Sequence, residues 1–247
     1  MSKRKVSVSA RAIAALLPFV SKEPNRYYLH GIQAEPAPGG GVLLIATDGH
    51  TIGVVHDAFA YADAEHILSI PSALAKATKA RYGLCGTLHF LGNVVHVVSE
   101  EFPTTQNPAI ISPHHIYSGH APDIDGAFPN WRAIFHFSEQ RTHDGAPTSF
   151  NAALVQRFHT AGQALLGRTI AEMSIYAPED GGPALVRLPS GPDTGLAFVG
   201  LVMPMRSSMT LADSTLQPDW IARPKPITPA KGKRAKPAPR PAANKAA

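Results

Sequence analysis

One order of elements, a strand, a helix and then a run of strands, opens three times along this chain, at about Val6, Ile67 and Thr148. In "KVSVSARAIAALLPFV" the alternating Val6 and Val8 give way to Ser9, a residue suited to cap a helix. Ile13, Leu16 and Leu17 make that helix's apolar face, and Pro18 limits it. "RYYLHGIQAE" then reads as a strand and Pro36–Gly41 as a loop, while "GVLLIAT" and "HTIGVV" flank Asp48-Gly49, a pair that favours a two-residue type I′ hairpin. The order returns in "HILSIPSALAKATKA", with a helix opened by Pro71 and Ser72, and in "TLHFLGNVVHVVS", a hairpin turning at Gly92-Asn93. It starts a third time in "PTSFNAALVQRFHTAG", where Asn151 caps a helix carrying Leu154, Val155 and Phe158. "EMSIYAPEDGGPALVRLP" and "GLAFVGLVMPM" supply the strands that follow. Identity between the units is weak, so the repeat rests on element order. Short helices covering one face of antiparallel sheets predict an α+β fold.

The net charge of +5 is unevenly placed. Residues 222–247 carry eight Lys or Arg and no acid; subtracting these eight leaves −3 on the rest of the chain. The same stretch holds six prolines and no apolar period, which predicts a disordered basic tail over 210–247, with nucleic acid as the usual partner of such a charge run. The single cysteine, Cys85, excludes an internal disulfide and fits a reducing compartment. The apolar run from Ala10 to Val20 is broken by Arg11 and Pro18, too short to span a bilayer and without a signal-peptide cleavage site after it. The expectation is a soluble, cytoplasmic protein.

Four stretches, "RYYLHGI", "LLIATDGHTIGVV", "DGAFPNWRAIF" and "FVGLVMPMR", occur in the order found in the bacterial DNA polymerase III beta subunit, the sliding clamp, and the chain closely resembles that family over about Val6 to Arg206. A clamp subunit has three domains of two units each, and two subunits close a ring around duplex DNA. The resemblance therefore implies a shortened clamp: residues 1–137 correspond to the middle domain, residues 138–209 to the closing half of the last, and the first domain has no counterpart. It implies a non-enzymatic, cofactor-free processivity factor, a homo-oligomer that tethers a polymerase to double-stranded DNA. The alternative is a monomeric clamp mimic that captures clamp-binding peptides without encircling DNA.

In that family a hydrophobic cleft takes peptide motifs from polymerases and the clamp loader. Carried over, one wall here is Leu29, Thr47, Gly49, His50, Ile52, Pro129 and Ile134, and the other is Leu201, Val202, Met203, Pro204, Met205 and Arg206. Thr51 and Ala133 stand where the family usually has Arg, and Ser207 where it ends in Leu. Arg26, Tyr27 and Tyr28 match a DNA-touching loop, a cation for phosphate with aromatics able to stack on bases. The family's basic residues at the start of the second helix are replaced by Pro71, Ser72 and Ala73.

The residues also permit other chemistries. In "ATDGH", Asp48 and His50 could serve acid/base work, yet no second catalytic group lies nearby and Asp-Gly is turn chemistry. A metal-dependent hydrolase using Asp48 and its neighbouring histidines is the enzymatic alternative, and the chain has twelve histidines in all. His114-His115, the densest point, falls in a proline-rich loop marked by Pro103, Pro108 and Pro113, without zinc-ligand spacing, and reads as a pair of solvent-facing imidazoles. Gly39-Gly40-Gly41 lacks the Lys and helix of a phosphate loop and reads as a connection.

Overall fold

The structure, a computed structural model, describes residues 4–78, 86–98, 115–135, 148–169, 171–178, 181–190 and 194–206. The basic tail, Cys85, His114, Ser207 and the three prolines named above lie outside them. Strand β1 (Lys5–Ser9) runs into helix α1 (Ala10–Leu16), capped by the Ser9 hydroxyl, which accepts the Arg11 N–H at 3.2 Å. Pro18 turns the end of the helix into a single 3-10 turn. Strands β2 (Gly31–Pro36), β3 (Val42–Thr47) and β4 (Thr51–Asp57) follow, then the short β5 (Tyr61–Ala62). The second unit is β6 (His66–Ser69), α2 (Ser72–Thr78), β7 (Thr87–Leu91), β8 (Val94–Val98) and β9 (His115–His120). The third has α3 (Ala152–Leu166), β10 (Ser174–Tyr176), β11 (Ala184–Arg187) and β12 (Leu196–Val202). Every strand pairing is antiparallel and the helices are few, so the α+β expectation holds.

Two sheets form, in the orders β5-β1-β7-β8-β9 and β10-β11-β12-β4-β3-β2-β6. The first two units exchange their opening strands: β1 joins β7 of the second unit, and β6 joins β2 of the first. The third unit extends the first unit's sheet through β4 and β12, in continuous register from Leu196↔Asp57 to Val202↔Thr51.

At this seam two glycines face each other, Gly53 and Gly200. A Cβ on Gly53 would lie 2.9 Å from the Phe19 ring, and one on Gly200 would lie 2.6 Å from the Phe158 ring. The missing side chains let the two rings lie directly on the sheet. Phe19 and Phe158 meet edge to face with centroids 4.9 Å apart, and Phe198 joins them. This cluster locks α3 against α1 and belongs to the main core with Ile13, Leu16, Leu44, Val186 and Leu165. On the sheet's other face, Ile45, Ile52, Val54 and Leu201 make a smaller core roofed by Phe128, Trp131 and Phe135. That roof is what creates a cleft at its margin.

Several local expectations change. "RYYLHGIQAE" is not one strand: Pro24–Leu29 forms 3-10 turns, with Pro at the first helical position, and β2 begins only at Gly31. Proline presets the φ of a helical start and donates no N–H to a ladder, so the strand cannot form from Pro24 onward. The Asp48-Gly49 turn is not type I′ either. That type needs positive φ at both central residues, whereas Gly49 alone has it, at +89°, and the connection between β3 and β4 is the three residues 48–50. At Gly92-Asn93 the two-residue hairpin does form, with positive φ at the first position only, the type II′ pattern. His115 opens strand β9 rather than lying in a loop, and its ring meets that of His96 across the strand pair.

Candidate functional site

Asp48 organises the hairpin that forms one lip of the cleft. Its carboxylate accepts the backbone N–H groups of His50 and Thr51, both at 2.9 Å, and the Thr51 hydroxyl at 3.1 Å. This is the turn chemistry expected of Asp, with a partner the sequence did not reveal. Arg157 of α3 forms an ion pair with Asp48 and donates to the Thr51 hydroxyl at 2.8 Å. Partial burial pushes the Asp48 carboxyl up, but the Arg157 hydrogen bond and the two backbone donors outweigh it and hold the group below its ordinary 3.8. A carboxyl lowered by folding contributes stability that is present above the unfolded value and lost as pH falls through the folded one. Asp48→Asn is therefore expected to cost about 2 kcal/mol near neutrality, the range for a hydrogen-bonded charge that is not fully exposed. In urea melts from pH 7 downward, the gap between wild type and variant should close below about pH 4. A gap that stays constant into strong acid would contradict this assignment.

The same lip continues into the end of β12, which pairs with β4. The Met203 N–H donates to the His50 carbonyl at 3.0 Å, which ties residues distant in sequence into one rim. The back is the 3-10 segment carrying Leu29, held by the Ser21 N–H to the Leu29 carbonyl at 3.0 Å. The roof is the stretch Pro129 to Ile134. Together they enclose a cleft of about 360 Å³, bordered by Arg26, Tyr28, Leu29, Thr47, Gly49, His50, Thr51, Ile52, Pro129, Asn130, Trp131, Ile134, Pro183, Leu201 and Met203. Ile134 and Met203 are about half exposed, at 50% and 45%, and so present apolar surface without serving the core. Trp131 meets Phe135 edge to face, and the Arg132 guanidinium lies 4.3 Å over its ring while pairing with buried Glu35. These contacts hold the indole in place beside the cleft.

Nine of the thirteen residues expected around a cleft lie on its border: Leu29, Thr47, Gly49, His50, Ile52, Pro129, Ile134, Leu201 and Met203. The other four do not border it. Val202 is fully buried in the main core, because strand alternation turns it away from Leu201 and Met203. Met205 is engaged by its backbone with Ser149, at 2.8 Å, and Pro204 and Arg206 lie beside it. Of the three residues expected at DNA, Arg26 and Tyr28 border the cleft, while Tyr27 is exposed, its ring against Tyr28. The 3-10 turn rotates successive side chains by about 120° instead of alternating them across a sheet, so the two rings stay in contact while Tyr28 alone reaches the cleft. Thr51, named above as a changed cleft position, borders it too, and sequence reasoning missed Asn130, Trp131 and Pro183. The aromatic placed directly after Pro129-Asn130 was the available signal for Trp131.

Among the described residues there is no group of three or more His, Cys, Asp or Glu that could hold a metal ion, and no helix is long and apolar enough to cross a membrane.

No protein-family model and no curated protein matches the sequence. The fold, by contrast, matches solved structures of bacterial clamps. The DNA polymerase III beta-subunit sliding clamp of Bartonella birtlesii, bound to griselimycin, aligns over 84% of this chain and 67% of its own, with TM-score 0.52 and 15% identity. The beta subunit of Borrelia burgdorferi, in complex with a natural product, aligns over 82% and 64%, with TM-score 0.53 and 11% identity. The Helicobacter pylori beta clamp, in complex with 3,4-difluorobenzamide, aligns over 84% and 68%, with TM-score 0.52 and 13% identity. The chain thus has the sliding-clamp fold and spans about two thirds of the length of these subunits.

Proposed function

We propose that this chain, built on the sliding-clamp fold, is a processivity factor: a non-catalytic protein that holds a DNA polymerase and other peptide-motif partners on duplex DNA. The observation that carries the reading is the apolar cleft, along whose rim Met203 and His50, far apart in sequence, are joined by a backbone hydrogen bond. An extended peptide finds there a floor of Leu29, Ile52 and Leu201, and the adaptable Met203, whose flexible thioether repacks around different side chains at little cost. Two apolar anchors contribute roughly 3–6 kcal/mol of the ~8 that a micromolar complex requires, and hydrogen bonds to the peptide backbone supply part of the rest. Such a complex exchanges partners readily, as a shared tether must. On this reading residues 1–137 make one two-unit domain, residues 138–209 half of another, and the basic stretch beyond them adds sequence-independent, salt-sensitive attraction to DNA.

Encirclement has a specific readout. The protein is expected to stay on nicked circular duplex through a high-salt wash and to slide off the same duplex once it is linearised, since topology and not phosphate contact retains it. Equal loss from both forms would mean that the chain captures peptides without surrounding DNA.

A further inference from the structure

The chain that leads into the roof, residues 123–128, forms with β6 a second concavity of about 470 Å³, which shares no bordering residue with the cleft. Its wall is pinned: the Ile124 N–H donates to the Ile67 carbonyl at 2.9 Å, and Asp123 bridges Leu68. Ile32 and Ala34 of β2 face the main core, so strand alternation puts Gln33 on the other face of the sheet, opposite Ile67 of β6, where it borders the pocket. Gln33 is only 8% exposed, and its amide nitrogen donates to Glu35 at 3.2 Å. Glu35 is not on the pocket wall, so the other branch of the amide, Oε1, is the one turned to the pocket. That oxygen accepts no hydrogen bond among the described residues. A buried carbonyl oxygen in this condition is costly, and a donor arriving in the pocket removes the cost.

The carboxylates around this oxygen sort into two classes. Asp123 is already engaged: buried Arg4 pairs with it, and His66 reaches it at 2.8 Å while its other ring nitrogen faces Asp63 at 2.9 Å. Glu65 and Asp125 form no ion pair among the described residues, and no Lys or Arg borders the pocket. Ile67, Ile124 and Phe128 add apolar surface. A metal ion would need its oxygen ligands to converge within about 2.6 Å of one point, and the described carboxylates do not converge. An ammonium gathers its donors on one atom, whereas a guanidinium spreads five N–H groups over a plane and reaches acceptors that stand apart. We propose that this pocket binds a guanidinium group, carried by a free small molecule or by an arginine side chain. One N–H donates to Gln33 Oε1, Glu65 and Asp125 balance the charge, and the alkyl stem lies on Ile67, Ile124 and Phe128.

This inference uses the pocket alone, so it survives if the DNA-tethering reading fails. The test is an NMR titration of the isotope-labelled full chain, following the Gln33 side-chain amide and the backbone amide of Gly126, which also borders the pocket. Two probes are added separately: ethylguanidinium, and a Gly-Arg-Gly peptide with both ends blocked. Saturable shifts are expected with at least one. Affinity for ethylguanidinium no lower than for the peptide marks a site for the free cation, and tighter binding of the peptide marks an arginine side chain of a partner. Gln33→Met removes the buried acceptor while Glu35 keeps Arg132, and it should weaken binding about tenfold or more, the loss expected for a hydrogen bond to a charged group. Should that variant not fold, the exposed pair Glu65→Gln and Asp125→Asn decides: it should weaken binding about tenfold and flatten its salt dependence. The absence of saturable shifts with both probes overturns the proposal. So does an equal response to tetramethylammonium, which carries the charge without an N–H, or unchanged affinity in either folded variant.

Discussion

Replacing Ile134 and Met203 together by alanine is expected to weaken the binding of a short peptide with two apolar anchors about 30-fold while leaving the melting transition nearly unchanged. The two side chains stand on opposite sides of the cleft, one on the roof after Pro129 and one on the β12 rim, and each is about half exposed in the free protein. Full burial of such a side chain contributes roughly 1.5–3 kcal/mol. Because half of the surface is already covered, each hands over about 1 kcal/mol to a bound ligand, and about 2 kcal/mol together corresponds to the stated change in Kd. Neither belongs to the buried core, so stability should move by less than ~0.5 kcal/mol. Fluorescence anisotropy of a labelled peptide reads the first quantity and a thermal melt the second. Unchanged affinity in a folded variant would place peptide capture elsewhere on the molecule.

The largest stability effect is expected at Phe158. Its ring is fully buried, lies against Phe19 and Phe198, and fills the space left by Gly200 on the sheet below. Phe158→Ala removes the aromatic contacts and leaves a cavity that the glycine pair cannot close, a loss of about 3–5 kcal/mol. The consequence reaches the cleft. The α3 helix carries Arg157 next to Phe158, and Arg157 holds Asp48 at the rim, so a loosened helix should also weaken peptide binding. A urea melt of Phe158→Ala that shifts by less than ~1 kcal/mol would mean that the third unit is anchored by something other than this cluster.

What sequence reading recovered, and what it did not, follows from the range of the interactions involved. Ser9 and Asn151 act on N–H groups two residues away, and the Gly92-Asn93 turn is decided by one glycine's φ; such short-range devices are legible from a few letters. The cleft positions rest on a resemblance in the matched stretches; nine of them border one cleft, whereas strand alternation buries Val202 and the Met205 backbone bonds Ser149. The Arg157–Asp48 pair spans 109 residues, and no local pattern announces it. The facing Gly53 and Gly200 likewise acquire meaning only once β4 and β12 lie side by side. In "RYYLHGIQAE" the aromatic residues from Arg26 to Leu29 favour a strand, while Pro24 just before them sets the backbone to a helical start.

The most direct test uses Trp131, which borders the cleft, in a chain whose other tryptophan is Trp220. With Trp220→Phe the indole fluorescence reports Trp131 alone. Titration with an unlabelled peptide bearing two apolar anchors should shift its emission to shorter wavelength and saturate in the micromolar range, as water is displaced from the ring. An emission spectrum that stays constant while an independent assay shows the peptide bound would contradict the assignment of this cleft as the place where partners dock.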